Sequence, residues 1–175
     1  MNLPNKLTML RIIMIPVFII VLMTGHYYIS AVIFILASIT DAMDGHIARK
    51  YNLVTNFGKI MDPLADKMLV ISALICLVEL GNVPGWMVIV ILAREFTITG
   101  LRTVAAAQGT VIAAGWSGKI KTILQMIAVP ALLLQNWPFY LIGFPFATVM
   151  LWASVIMTIV SGTEYVIKNK SVFSM

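Results

Sequence analysis

Residues 12–40 read IIMIPVFIIVLMTGHYYISAVIFILASIT and contain no Asp, Glu, Lys or Arg. A second uncharged run covers residues 122–163. Each run is longer than the roughly 20 residues that one transmembrane helix needs. A turn sequence lies near the middle of each run, TGHYY at 24–28 and QNWP at 135–138. The two runs therefore predict two pairs of membrane helices, each joined by a short hairpin at the membrane surface.

The composition of the whole chain supports a membrane protein. Of its 175 residues, 61% are hydrophobic and 11% are charged, whereas roughly a quarter of residues are charged in soluble domains. A third turn, LGNVPGW at 80–86, separates two further helical segments. Because lipid offers no hydrogen-bond partners to the backbone, we predict an all-α, integral membrane bundle of six transmembrane helices. The expected spans are about 8–24, 28–48, 58–80, 85–107, 118–134 and 139–166.

The distribution of lysine and arginine predicts the orientation of this bundle. None of the three turns contains either residue, and the loop cations fall at the opposite ends of the predicted helices. By the positive-inside rule, both termini and a polar active-site cavity should face the cytoplasm. The net charge of +5 is explained by this cytoplasmic rim, so we expect no nucleic-acid partner. The lone Cys76 excludes a disulfide within the chain, and residues 1–175 should form one domain.

All four aspartates of the chain lie within residues 41–66, DAMDGHIARKYNLVTNFGKIMDPLAD. On the second predicted helix, small and acidic residues share one face at spacings i, i+3, i+4 and i+7: Asp41, Asp44, Gly45 and Ala48. On the third, the spacings are i, i+4 and i+8: Gly58, Asp62 and Asp66. Because the connection between the helices is short, the two acidic faces should converge near the cytoplasmic side.

Four carboxylates that converge in a membrane repel each other unless cations neutralise them. Oxygen ligands favour hard divalent ions such as Mg²⁺ or Mn²⁺. Four carboxylates are enough for two ions with shared ligands, an arrangement suited to displacement at phosphorus. The small residues Gly45, Ala48 and Gly58 leave room for a ligand, although close helix packing is the alternative explanation.

The pattern resembles the signature of the CDP-alcohol phosphotransferases at all eight defined positions, Asp41-x2-Asp44-Gly45-x2-Ala48-Arg49-x8-Gly58-x3-Asp62-x3-Asp66. The resemblance implies a six-helix bundle, usually a homodimer, with a site open to the cytoplasm. It also implies attack of an alcohol on the β-phosphorus of a CDP-linked substrate, with release of CMP.

The same resemblance implies roles for individual residues. Asp41, Asp44 and Asp62 should bind two divalent metal ions, with Asp66 as both metal ligand and general base. The segment Pro4-Asn5-Lys6-Leu7-Thr8-x2-Arg11 is similar to the nucleotide-binding start of the first helix in that family. The expected contacts to the CDP group are Asn5, Thr8, Asp44, Gly45, Ala48, Arg49 and Gly58.

The acceptor alcohol is predicted from four cations on the later helices: Arg94, Arg102, Lys119 and Lys121. A cationic pocket beside the metals favours an acceptor that carries a phosphate. The surrounding segments also resemble those of family members that use glycerol 3-phosphate. We therefore expect transfer of the phosphatidyl group of CDP-diacylglycerol to glycerol 3-phosphate, which gives phosphatidylglycerophosphate and CMP. Inositol phosphate, phosphatidylglycerol and serine are alternative acceptors.

Each cation also has a structural interpretation. Arg94 could form an ion pair with Glu79 or a motif aspartate; pairing with the adjacent Glu95 is not expected, since the two lie about 100° apart around the helix. Lys119 and Lys121 could be cytoplasmic anchors.

Two functions from other classes remain open. A divalent-cation transporter also needs carboxylates inside the membrane, but the outer half of the predicted bundle contains no aspartate and, of the glutamates, only Glu79. An inactive family member would bind the CDP-lipid without turnover.

Overall fold

A computed structural model describes residues 3–50, 56–107, 109, 112 and 115–169. Side chains are described for these residues except 3–4, 42–50, 56–57, 59–60, 62–63 and 107. Within this part of the chain, all regular secondary structure is helical, which confirms the all-α prediction. The helices are α1 (Leu3–Met23), α2 (Tyr27–Lys50), α3 (Asn56–Glu79), α4 (Gly85–Ala107), α5 (Trp116–Leu133), a 3₁₀ helix (Phe139–Ile142) and α6 (Phe146–Lys168).

Five of the six predicted spans match a helix to within a few residues, but the predicted start of the sixth at residue 139 is wrong. Residues Phe139–Ile142 form a separate 3₁₀ turn. That turn ends at Gly143, whose φ of 69° lies in the left-handed region that favours glycine. Pro145 then precedes the first residue of α6. The stretch is apolar throughout, so hydropathy alone does not separate the turn from the helix.

The surface of the bundle is apolar. Large aliphatic side chains such as Ile20, Ile89 and Ile167 are more than half exposed. By length and composition, two of the described helical segments could each cross a membrane, Asn5–Met23 and Phe146–Lys168, and a shorter apolar stretch covers Tyr27–Asp41. Apolar side chains outside and charged side chains inside indicate a protein surrounded by lipid.

The helices pack in two groups, and the interior differs between the two ends of the bundle. α1 packs against α2 and α3, while α6 packs against α4 and α5. Towards the turns that join α1 to α2, α3 to α4 and α5 to α6, the buried residues are mostly apolar, as at Phe18, Phe34 and Leu133, and Ser30 is an exception. Towards the opposite end, buried polar residues replace them: Asn5, Thr8, Arg11, Glu95, Lys121 and Gln125. The buried charged residues of the described bundle therefore lie towards that end.

The connection between α5 and α6 is held by one side chain. Asn136, with a φ of 63°, donates a hydrogen bond from Nδ2 to the Phe144 carbonyl oxygen at 2.7 Å. Its Oδ1 accepts the backbone N–H of Ala147 at 2.9 Å, in the first turn of α6. Asn136 thus serves as a distant cap for that helix.

We expect Asn136→Ala to lower the free energy of unfolding by about 1–2 kcal/mol. Both side-chain bonds are lost, and alanine tolerates the left-handed backbone less well than asparagine. Thermal unfolding of the detergent-solubilised protein measures the change. Asn136→Gly is the matched control, because glycine accepts the positive φ but also loses both bonds. A glycine variant as stable as the wild type would show that the two bonds contribute nothing.

Candidate active site

A polar stripe on α1 meets the first motif aspartate inside the bundle. Asn5, Thr8 and Arg11 follow each other at three-residue spacing, and all three are buried. Arg11 is 0% exposed, and its Nη1 lies 2.5 Å from Oδ1 of Asp41 on α2. Arg11 therefore lies in the interior of the bundle. A guanidinium without water needs a carboxylate partner, and Asp41 supplies one.

Arg11 also acts electrostatically on Asp66, the last motif aspartate, which is half-buried on α3. One arginine thus contacts the first motif aspartate and lies within electrostatic range of the last. Gly58, between them in sequence, is buried. The side chains of the other motif positions lie outside the described residues: Asp44, Gly45, Ala48, Arg49 and Asp62.

The donor chemistry of the described aspartates fits a hard divalent ion. Asp41 and Asp66 provide carboxylate oxygens on facing helices, the ligand type that Mg²⁺ and Mn²⁺ prefer. Among the side chains that the structure describes, no three His, Cys, Asp or Glu groups converge, and two of the four motif aspartates fall outside that set. A metal site at this position would thus combine Asp41 and Asp66 with carboxylates of the same motif.

A cavity of about 390 Å³ adjoins Asp66, between α3, α4 and α5. Four of the residues that line it are the cations predicted to bind the acceptor phosphate: Arg94, Arg102, Lys119 and Lys121. Lys67, next to Asp66 in sequence, adds a fifth cation to the wall. The structure places these cations and the expected general base on one cavity, although their contacts with substrate stay predictions.

Glu95 is the carboxylate around which three of these cations are arranged. It is 9% exposed, and its Oε1 accepts a hydrogen bond from Arg94 Nη1 at 3.0 Å and a second from Lys121 Nζ. Lys67 Nζ lies 3.9 Å from its other oxygen. The expectation that Arg94 and Glu95 do not pair is wrong, because a long guanidinium side chain spans the 100° between neighbouring positions on a helix.

Two glycines let Arg94 reach this position. A Cβ at Gly118 of α5 would lie 3.2 Å from Arg94 Nη2, and one at Gly162 of α6 would lie 3.2 Å from Arg94 Cγ. Both distances are shorter than ordinary carbon contacts. The absence of a side chain at these two positions therefore allows the arginine to pass between α5 and α6.

The remaining cations differ in their surroundings. Lys121 is 3% exposed, so its interpretation as an exposed cytoplasmic anchor is wrong. Lys119 is exposed and lies 5.0 Å from the centre of the Trp116 ring. Arg102 donates from Nε to the Tyr165 hydroxyl at 3.1 Å. Lys119 and Arg102 thus remain accessible at the mouth of the cavity, while Lys121 is held inside it.

Two polar residues of this site, Lys67 and Glu95, were given no role in it by the sequence analysis. Glu95 had a detectable signal, since an acidic residue inside a predicted span needs a partner, and Arg94 and Lys121 were the nearest candidates. Lys67 donates to Thr99 Oγ1 across to α4, a pairing that no spacing rule predicts.

Comparison with known proteins gives a consistent set of relatives. The sequence profile of the CDP-alcohol phosphatidyltransferase family matches residues 1–160. A CDP-diacylglycerol–glycerol-3-phosphate 3-phosphatidyltransferase of Bacillus subtilis is 53% identical, over 96% of this chain and 95% of its own length. The enzyme of the same name from Rickettsia felis is 42% identical over 94% and 93% of the two chains. A probable phosphatidylglycerophosphate synthase of Mycobacterium tuberculosis is 41% identical over 94% and 80%.

Glu95→Leu should destabilise the protein by about 3–5 kcal/mol, because it leaves the buried Lys121 ammonium without its counter-charge. Adding Lys121→Met removes that unpaired charge and should recover part of the loss. Thermal unfolding in detergent measures both variants. Lys168→Met is the control, since that lysine is 70% exposed in its pair with Glu164 and should change stability little. A double variant no more stable than Glu95→Leu alone would contradict the pairing.

Proposed function

The chain belongs to the CDP-alcohol phosphatidyltransferase family, and on that premise we propose that it transfers the phosphatidyl group of CDP-diacylglycerol to glycerol 3-phosphate. The products are phosphatidylglycerophosphate and CMP. The enzyme then acts in the biosynthesis of anionic phospholipids, phosphatidylglycerol and cardiolipin. The observation that supports this function most directly is the cavity whose wall includes both Asp66 and the cations. The chain is also 53% identical to a relative named for the same reaction.

The acceptor assignment follows from the charge of the cavity. Its polar wall includes Lys67, Arg94, Arg102, Lys119 and Lys121, against the carboxylates of Asp66 and Glu95. A cationic wall favours an acceptor that carries its own phosphate, and guanidinium groups bind phosphate oxygens through charge-assisted hydrogen bonds. Serine or phosphatidylglycerol as the acceptor would explain so many cations less well. Inositol phosphate shares the required charge and is the competing acceptor.

In the proposed reaction, the acceptor's primary hydroxyl oxygen attacks the β-phosphorus of CDP-diacylglycerol. A P–O bond forms, the bond to the CMP oxygen breaks, and CMP leaves with the bonding electron pair. Asp66 accepts the hydroxyl proton as general base. The cations hold the acceptor phosphate so that its hydroxyl points towards Asp66, which replaces a random encounter by a fixed geometry.

Divalent metal ions complete this proposal. Asp41, Asp44, Asp62 and Asp66 would hold two Mg²⁺ or Mn²⁺ ions, which when bound neutralise the pyrophosphate charge. Arg11 orients the Asp41 carboxylate from α1. For the nucleotide, Asn5 and Thr8 on the same buried stripe of α1 would contact the CDP group together with the motif residues Asp44, Gly45, Ala48, Arg49 and Gly58.

The membrane arrangement is part of the same proposal. Residues 1–175 form one domain with six spans, both termini on the cytoplasmic side of a bacterial cell membrane, and two copies associate as a homodimer. In support, the apolar half of the interior lies at the end of the bundle where the loops lack lysine and arginine. The polar half lies at the other end, where soluble glycerol 3-phosphate would enter from the cytoplasm.

The reaction is tested with the purified protein in detergent, CDP-diacylglycerol and Mg²⁺ or Mn²⁺. CMP release should depend on added glycerol 3-phosphate, should stop with a chelator and should return with excess metal. Asp66→Asn should abolish turnover while some metal affinity remains, because an amide cannot accept the proton. Lys168→Met serves as the control, because Lys168 does not line the cavity beside Asp66. CMP release with inositol phosphate but not with glycerol 3-phosphate would overturn the acceptor, and full activity of Asp66→Asn would overturn the base.

The orientation is tested with single cysteines in a Cys76→Ala background. Asn82→Cys, in the exposed turn between α3 and α4, should react with a membrane-impermeant maleimide in intact cells. Lys168→Cys, at the end of α6, should react only after the membrane is permeabilised. Labelling of the second variant in intact cells would contradict cytoplasmic termini.

A further inference from the structure

Gln125 has a buried side-chain amide on the wall of the cavity. It lies on α5, is 5% exposed, and lines the cavity of about 390 Å³. Its Nε2 has no hydrogen-bond partner among the residues that the structure describes. Buried polar groups are nearly always paired, and an unpaired donor is destabilising. An unpaired donor on a cavity wall therefore indicates that a ligand in the cavity supplies the missing acceptor.

The neighbours of Gln125 already have partners. Lys121, one turn earlier on the same face of α5, donates to Glu95. The hydroxyl of Thr122 donates to the Gly118 carbonyl oxygen at 3.1 Å. Lys121 and Thr122 thus each have a partner within the described bundle, whereas the Gln125 amide nitrogen has none.

Its place along the helix separates Gln125 from the phosphate-binding cations. It follows Lys121 by four residues and Lys119 by six, so it lies about 6 Å and about 9 Å further along α5. Lys119 is exposed, whereas Gln125 is buried. Lys119 therefore lies near the mouth of the cavity, whereas the buried Lys121 and the neutral Gln125 amide lie further inside, with Asp66 also on the wall.

Glycerol 3-phosphate, the acceptor in the proposed function, has three polar parts. Its phosphate matches the cations, and its reacting primary hydroxyl matches Asp66 as base. The secondary hydroxyl on the central carbon then remains. A neutral amide suits a neutral hydroxyl, because it adds no charge to a site whose cations already balance the phosphate.

We infer that Gln125 is a specificity-determining residue of the acceptor site, whose amide donates a hydrogen bond to the secondary hydroxyl of glycerol 3-phosphate. The inference rests on the proposed function, and it adds Gln125 as the residue that recognises the acceptor hydroxyl that does not react. A site built around a hydrogen bond rejects an analogue that lacks the partner, since its own donor is then left unpaired.

The test compares two acceptors, glycerol 3-phosphate and 3-hydroxypropyl phosphate, which has the same phosphate and primary hydroxyl but lacks the secondary one. Values of kcat/KM for CMP release are measured with the wild type and with Gln125→Met. The wild type should prefer glycerol 3-phosphate by about 10- to 100-fold. In Gln125→Met this preference should fall below about 3-fold, through loss of activity with glycerol 3-phosphate alone.

Two further variants make the result specific. Gln125→Asn keeps the amide but shortens its reach, so its preference should lie between those of the wild type and the methionine variant. Ile127→Leu, on the exposed side of α5, should retain the rates and the preference of the wild type.

Three outcomes would overturn the inference. One is equal loss with both acceptors in Gln125→Met, which would mean a structural role. Another is an unchanged preference in that variant. The third needs no variant: a wild type that uses both acceptors equally well. A wild type that releases no CMP with glycerol 3-phosphate would instead contradict the proposed function, and the inference with it.

Discussion

Neutralisation of charge inside an apolar bundle is the constraint on which the rest of the structure depends. Isolated charges are strongly disfavoured away from water, whereas a carboxylate and a cation in contact compensate each other. Arg11 pairs with Asp41 and thereby joins α1 to α2. Glu95 pairs with Lys121 and lies beside Lys67, which joins α4 to α5 and to α3. The same pairs that satisfy buried charges therefore fix the relative positions of the helices around the cavity.

The division between an apolar half and a polar half follows from this constraint and prepares the site for its substrates. Apolar packing around Phe34 and Leu133 closes the bundle at the end with the short turns. At the other end, the charged pairs hold α3, α4 and α5 around a cavity of about 390 Å³. A lipid-linked donor and a soluble anionic acceptor can meet only at such a boundary. The proposed chemistry thus depends on the end of the bundle where buried charges are paired, and on the charged pairs that hold the helices around the cavity.

Much of the fold follows from the sequence, because uncharged runs and turn residues carry most of the information on membrane helices. The aspartate motif likewise indicates the reaction class. The wrong expectation for the charged pair has a physical cause, namely that sequence patterns describe backbone directions and not side-chain reach. A helical wheel separates Arg94 from Glu95, although the guanidinium crosses the gap. The resemblance places Arg11 in the segment that begins the first helix, whereas its full burial against Asp41 is seen only in three dimensions. The availability of the Gln125 amide depends on which neighbours are already engaged, and only three-dimensional contacts show that.

Diffraction from crystals grown with Mn²⁺ and CDP-diacylglycerol tests most directly whether the motif aspartates form one metal site. Anomalous scattering should place two Mn²⁺ ions on the carboxylate oxygens of Asp41, Asp44, Asp62 and Asp66. Manganese peaks away from these carboxylates, or an Asp41 bound to Arg11 alone beside a bound CDP-lipid, would contradict a metal centre built on this motif.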